Sequence, residues 1–201
     1  MHSLFHILLV GHAALLAAAF AIEQREAETD GPGCPSPPRP NCEGKAKSLK
    51  WTVHGFDYHA SYIFTTPAHQ NSYGYVNFNL SNTAVPYTAT CSATSDQLTD
   101  FFFGTMWYPC TLPSTAPAGA AVSFQFNRPT GELDITETVV CAAEKHKPET
   151  TFHAAGTTTL KLSCTDTTTT NPNWTLGSGI YSDREVKCTP VDVTIKPSQV
   201  T

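Results

Sequence analysis

From Ser48 onward the dominant signal is the recurrence of apolar residues at every second position, and no stretch sustains an i, i+3, i+4 apolar pattern. Period two is the repeat of strands with one face in a core and one in water. Leu49, Trp51 and Val53 alternate; Phe56 and Tyr58 then alternate in the opposite phase, and Gly55 between them is placed for a bulge that swaps faces. Val76, Phe78 and Leu80 alternate with Asn77 and Asn79, and Val122, Phe124 and Phe126 with Ser123, Gln125 and Asn127. Arg128-Pro129-Thr130-Gly131 is turn chemistry, and beyond it Leu133, Ile135, Val139 and Cys141 share one face, which predicts a hairpin. Leu160, Leu162 and Cys164, then Val191, Val193 and Ile195, bring the expectation to at least seven strands. An all-β single domain follows, an antiparallel β-barrel or sandwich stabilised by disulfides. The one helical candidate is Ser92 to Asp100, where Thr94 and Gln97 have capping-box spacing, enough for a single turn.

A length of 201 residues gives room for one medium domain and its appendages. Leu4 to Phe20 is apolar and uncharged and runs into Ala19-Phe20-Ala21, an A-x-A cleavage pattern, so residues 1–21 read as a secretory signal peptide and the protein as extracellular. Asp30 to Asn41 holds five prolines, each fixing φ and removing a donor. Residues 22–46 are therefore expected as a proline-rich arm, with the β domain over 47–201.

Seven cysteines, Cys34, Cys42, Cys91, Cys110, Cys141, Cys164 and Cys188, lie beyond the leader, where an oxidising compartment favours disulfides. None is spaced as CxxC, which disfavours a zinc ribbon or a thioredoxin site. Three bridges leave one thiol over, and spacing alone does not choose among the pairings; Cys34 and Cys42 either close a loop on themselves or tether the arm elsewhere. The secretory route makes Asn79-Leu80-Ser81 and Asn173-Trp174-Thr175 candidate glycosylation acceptors, the second next to the turn residues Asn171-Pro172. Threonine is concentrated between Thr150 and Thr175, as strand and loop filler or as an O-glycosylated edge.

Lys and Arg number 12 against 17 Asp and Glu, a net charge of −5 with no dense basic block, so the chain lacks the electrostatic footprint of a nucleic-acid binder. No second apolar run follows the leader, and no membrane association is expected after its removal.

Residues able to carry chemistry are few. Glu132 and Asp134 lie two apart in a predicted strand, with Cα atoms about 7 Å apart on one face, the spacing of a candidate hydrolase carboxylate pair. Two acids on the wet face of a hairpin need no such role. Glu137 falls in phase with Leu133, Ile135 and Val139, which a bulge or a pore-lining position explains equally. His54, Asp57 and His59 carry imidazole and carboxylate on one short strand, but without an HExxH pattern neither a metal nor any other cofactor is expected. Phe101-Phe102-Phe103 and Trp107-Tyr108 cannot all face one way in an extended chain; they are core if covered on both sides and an apolar contact patch if not.

Cys91-Ser92-Ala93, then Asp96-Gln97-Leu98-Thr99-Asp100, then Trp107-Tyr108-Pro109-Cys110 resemble the AA1-like fungal secreted proteins, the family of the major Alternaria allergen. Ser123-Phe124-Gln125-Phe126, Val186-Lys187-Cys188 and Val193-Thr194-Ile195 fit the same order of strands, so the resemblance covers about Lys47 to Lys196. It implies bridges Cys91–Cys110 and Cys164–Cys188, a β-barrel and an N-terminal cysteine, Cys34 or Cys42, linking two subunits. Cys141 departs from the pattern, as do two arm cysteines in place of one; Cys141 bridged to one of them would leave the other for a disulfide-linked homodimer. The resemblance also implies a non-catalytic allergen, elicitor or effector that binds host defence proteins or small phenolic ligands. Two other readings are a secreted hydrolase using Glu132 and Asp134 and a cell-wall structural or adhesion protein.

Overall fold

The computed structural model describes residues 41–143 and 148–201. The expected signal peptide, most of the proline-rich arm and Cys34 lie outside the described residues.

The alternating segments form strands β1 (Trp51–Thr66), β2 (His69–Asn82), β3 (Thr88–Ser95), β4 (Tyr108–Pro109), β5 (Ala121–Asn127), β6 (Glu132–Cys141), β7 (Thr150–Thr159), β8 (Cys164–Thr170), β9 (Ser182–Cys188), β10 (Val191–Ile195) and β11 (Gln199–Val200). One sheet of six strands runs β3-β2-β1-β9-β8, with β10 also paired to β1; the second, of five, runs β11-β7-β6-β5-β4. Every pairing is antiparallel. Neither sheet closes on itself, so the architecture is sandwich-like and not a closed barrel.

Side-chain parity explains the layers. Trp51 and Val53 of β1 face inward; the register shifts between Val53 and Phe56, where Gly55 takes φ 60°, and Phe56, Tyr58, Ala60 and Tyr62 then face inward in the other phase. Glycine accepts that left-handed conformation without a Cβ clash. Against this row pack Val76, Phe78 and Leu80 of β2, Val122, Phe124 and Phe126 of β5, and Leu133, Ile135 and Val139 of β6, all buried. The rings interlock across the two sheets, Phe56 with Phe126 at 5.0 Å and Phe78 edge-on to Phe124 at 4.9 Å. Edge-to-face geometry of this kind adds about 0.5–1.5 kcal/mol per pair beyond area burial.

Three local expectations change. No helix forms between Ser92 and Asp100; β3 runs to Ser95 and a turn follows. Leu160 and Leu162 precede β8, because Leu160 N–H donates to the Gly131 carbonyl at 2.8 Å and turns the leucine into the core beyond the end of β7. A short helix, α1 (Cys42–Ala46), occupies the stretch after the prolines; the Asn41 side chain accepts from Gly44 N–H at 3.0 Å as its N-cap, and Ala46 is fully buried. Among the described residues no helix is long and apolar enough to cross a membrane.

Candidate functional site

Cys42 at the start of α1 is bonded to Cys141 at the end of β6, its partner 99 residues later in the chain. The bridge brings together four segments that are remote in sequence: α1, the β2–β3 connection, the loop from Pro113 to Pro117 and the end of β6. Between them lies a groove of about 660 Å³. Val85, Pro86, Tyr87, Pro113, Pro117 and Val140 give it apolar walls, and Lys45 stands at its rim. Volumes of ~300–1,000 Å³ with mostly apolar lining are usual for small-molecule sites. A smaller depression of about 420 Å³ on the outer face of the second sheet has Ser123, Thr138, His153 and Gln199 in its lining beside three alanines.

The wall of the groove is held by a buried polar chain. Glu137, 4% exposed, faces inward on β6 in the phase its position in the alternation requires. Trp51 Nε1 donates to one carboxylate oxygen, and Asn82 Nδ2 donates to the other at 2.7 Å. Asn82 Oδ1 in turn accepts the backbone N–H groups of Ala84 at 2.7 Å and Val85 at 3.0 Å, two residues that line the groove. Burial pushes the Glu137 carboxyl above the usual range, and the bonds from Trp51 and Asn82 pull it partway back. The Tyr87 hydroxyl is buried without a hydrogen-bond partner; desolvation first, and the negative charge of Glu137 second, raise its phenol above the ordinary value.

The aromatic segment divides. Phe101 and Phe102 are buried at 0% and 1%, whereas Phe103, Met106 and Trp107 are exposed and Tyr108 is half-buried. Phe101 takes φ 67°, a left-handed conformation costly for a residue with a Cβ, and so lets two consecutive rings turn inward. It therefore serves as core at Phe101 and Phe102, which pack on Tyr62 and Tyr58, and as surface at Phe103 and Trp107.

The two carboxylates considered for hydrolysis share the outer face of β6. Glu132 is exposed, and Asp134 is occupied by Gln125 Nε2 at 2.9 Å and by the Thr157 hydroxyl. Neither lies in the groove. The bulge at Gly55 does not gather the histidines: His54 Nε2 meets Ser81 Oγ at 2.8 Å, and Asp57 pairs with His59 Nδ1 at 2.8 Å. Among the described residues no group of three or more His, Cys, Asp or Glu is placed to hold a metal ion.

Cys91 is bonded to Cys110 and Cys164 to Cys188. With Cys42–Cys141 these account for six of the seven cysteines, leaving Cys34. Asn79 is exposed on β2 with its Oδ1 accepting from Thr90 Oγ1 at 3.2 Å, and Asn173 is exposed in the β8–β9 turn. The sequence signals missed Asn82, Tyr87 and Lys45. Asn82 was the legible one, since an asparagine at a strand end bonds the backbone two residues on, as Asn82 does with Ala84 N–H.

Fold and site together define a disulfide-braced all-β module with a preformed apolar groove. The family model described as Alternaria alternata allergen 1 matches residues 53–188, and the chain belongs to that family. No curated protein and no solved structure matches the chain significantly.

Proposed function

We propose that this allergen-family protein is secreted and works by binding, as an effector- or elicitor-like molecule, with no catalytic step of its own. The groove beside Cys42–Cys141 carries the reading: it is preformed, apolar and of small-molecule size, and its wall is fixed by the hydrogen bonds that Ala84 and Val85 N–H donate to Asn82 Oδ1. Its occupant is a small phenolic ligand, whose ring packs on the proline and valine walls. Host defence proteins are the macromolecular targets, met by the exposed surface at Phe103 and Trp107. Cys34, the cysteine left over by the three bridges, is the candidate for a link between two subunits.

Titration calorimetry of the exported chain with a simple flavonoid tests the groove. Thr115 is exposed on its rim, so Thr115→Trp fills the space without entering the core. Binding to the parent that Thr115→Trp abolishes is the expected result; no binding heat, or equal binding by both chains, removes the small-ligand reading.

A further inference from the structure

The groove beside Cys42–Cys141 has one charged residue in its lining, Lys45, and no carboxylate. Glu43, the acid nearest to it in sequence, has Oε1 accepting from the Thr150 hydroxyl of β7 at 3.4 Å and does not line the groove. Among the described residues no ion pair engages Lys45. Positive charge is also concentrated there. Cys42 to Lys50 carries Lys45, Lys47 and Lys50 against Glu43 alone, in a chain of net charge −5. The mouth of the groove is thus positive on a molecule whose net charge is negative, and such a local field draws anions toward it.

The backbone that presents Lys45 is fixed. Its N–H donates to the Asn41 carbonyl at 3.0 Å, its carbonyl accepts from Ser48 N–H at 3.1 Å, and Cys42, three residues earlier, is bonded to Cys141 of β6. The charge therefore meets a ligand without rearrangement of the main chain. A neutral molecule beside this ammonium would strip water from it without replacing the lost hydrogen bonds, a cost that a negatively charged ligand atom removes.

The lining also selects among anions. Phosphate and sulfate sites are built from several donors, commonly backbone N–H groups or arginine forks. In this groove the N–H groups of Ala84 and Val85 are already taken by Asn82 Oδ1, and no arginine is present. A single lysine is a point charge, suited to a single carboxylate. Beyond it Pro86, Tyr87, Pro113 and Pro117 supply rings and Val85 and Val140 branched side chains, a lining that suits an apolar, flat ligand body.

We infer, in a step that rests on the reading of this groove as a small-ligand site, that its occupant is an aromatic monocarboxylate. The carboxylate pairs with the Lys45 ammonium, and the ring system packs on the proline and valine walls. The phenolic ligand is thus an acid and not a neutral polyphenol.

Titration calorimetry of the exported chain at about pH 7, where a carboxylic acid is ionised, compares three compounds. They are a hydroxynaphthoate, its uncharged methyl ester and a neutral flavonoid. The acid should bind about three- to fivefold more tightly than the ester, the range of one partly exposed ion pair, and added salt should narrow the gap. Lys45→Gln should abolish the difference and Lys45→Glu should reverse it, whereas Thr115→Trp should block acid and ester alike. Circular dichroism confirms that each variant is folded. Equal affinity of acid and ester for the parent, or a preference for the acid that persists in Lys45→Gln, overturns the inference and leaves the small-ligand reading standing. Flavonoid binding with neither naphthalene compound held does the same. No binding by any of the three overturns both.

Discussion

Trp51 and Glu137, 86 positions apart, meet in the core between the two sheets, the indole N–H donating to the carboxylate. The folded-state pKa of Glu137 is raised, chiefly by burial, above the ordinary carboxyl range. A raised carboxyl has a definite sign in linkage: between the two pKa values the folded chain holds more protons than the unfolded one, so stability falls as pH rises through that window. The stabilising contribution is complete below the unfolded pKa and disappears above the folded one. Urea unfolding between about pH 4 and pH 8 should show the parent losing stability relative to Glu137→Gln as pH rises. A stability difference that is flat across this range would refute the linkage.

Gly74 and Phe101 are a second fitted pair. A Cβ on Gly74 would lie 2.6 Å from the Cβ of Phe101, closer than such atoms approach, and Phe101 is fully buried in a left-handed conformation that leaves it little freedom to move. Gly74→Ala is expected to cost about 1–3 kcal/mol in chemical denaturation through overpacking. Combined with Phe101→Gly, which removes both the Cβ and the ring that it would strike, it should cost less than the two single changes together. Strict additivity would show that the two positions do not compete for the same space.

These pairs mark where sequence reading succeeds and where it stops. The strands were legible because alternation is a local property: Trp51 and Val53, then Phe56 and Tyr58, announce both a buried face and its reversal at Gly55. The inward phase of Glu137 was legible for the same reason. Its partners were not, because Trp51 and Asn82 reach it from another sheet. Leu160 misled by parity, being pinned by the Gly131 carbonyl across a hairpin end instead of continuing a strand. The groove was the least accessible, since its walls come from four segments joined through Cys42–Cys141, and no window of sequence contains them together.

Closure of so long a loop makes the Cys42–Cys141 bridge the strongest constraint on the unfolded chain. In the chain-entropy treatment a loop of this size contributes about 4.7 kcal/mol, against about 3 for the shorter loops of the other two bridges. Cys42→Ser with Cys141→Ser should therefore lower the unfolding free energy by about 2–5 kcal/mol. It should also weaken any ligand held in the groove, because α1 supplies Cys42 and Lys45 to its lining. Equal stability of parent and double variant would show that the short helix and its packing of Ala46 hold the groove together unaided.

Asn173 and Asn79 differ in what surrounds their acceptor groups. Asn173 lies in a local turn whose backbone N–H is bonded to Asn171 Oδ1 at 3.0 Å, and its side chain is exposed. Asn79 sits in β2 between β1 and β3, its Oδ1 accepting from Thr90, while the Ser81 hydroxyl of the same sequon is engaged by His54. A branched glycan at Asn79 would have to share a sheet face with those neighbours, whereas the turn at Asn173 projects into solvent and forms from residues adjacent in the chain. On the exported protein, Asn173→Gln should remove the main mass released by peptide-N-glycosidase, and Asn79→Gln should leave it in place. Glycan carried by Asn79 with Asn173 bare would reverse this assignment and place the accessible face of the first sheet, not the β8–β9 turn, under carbohydrate.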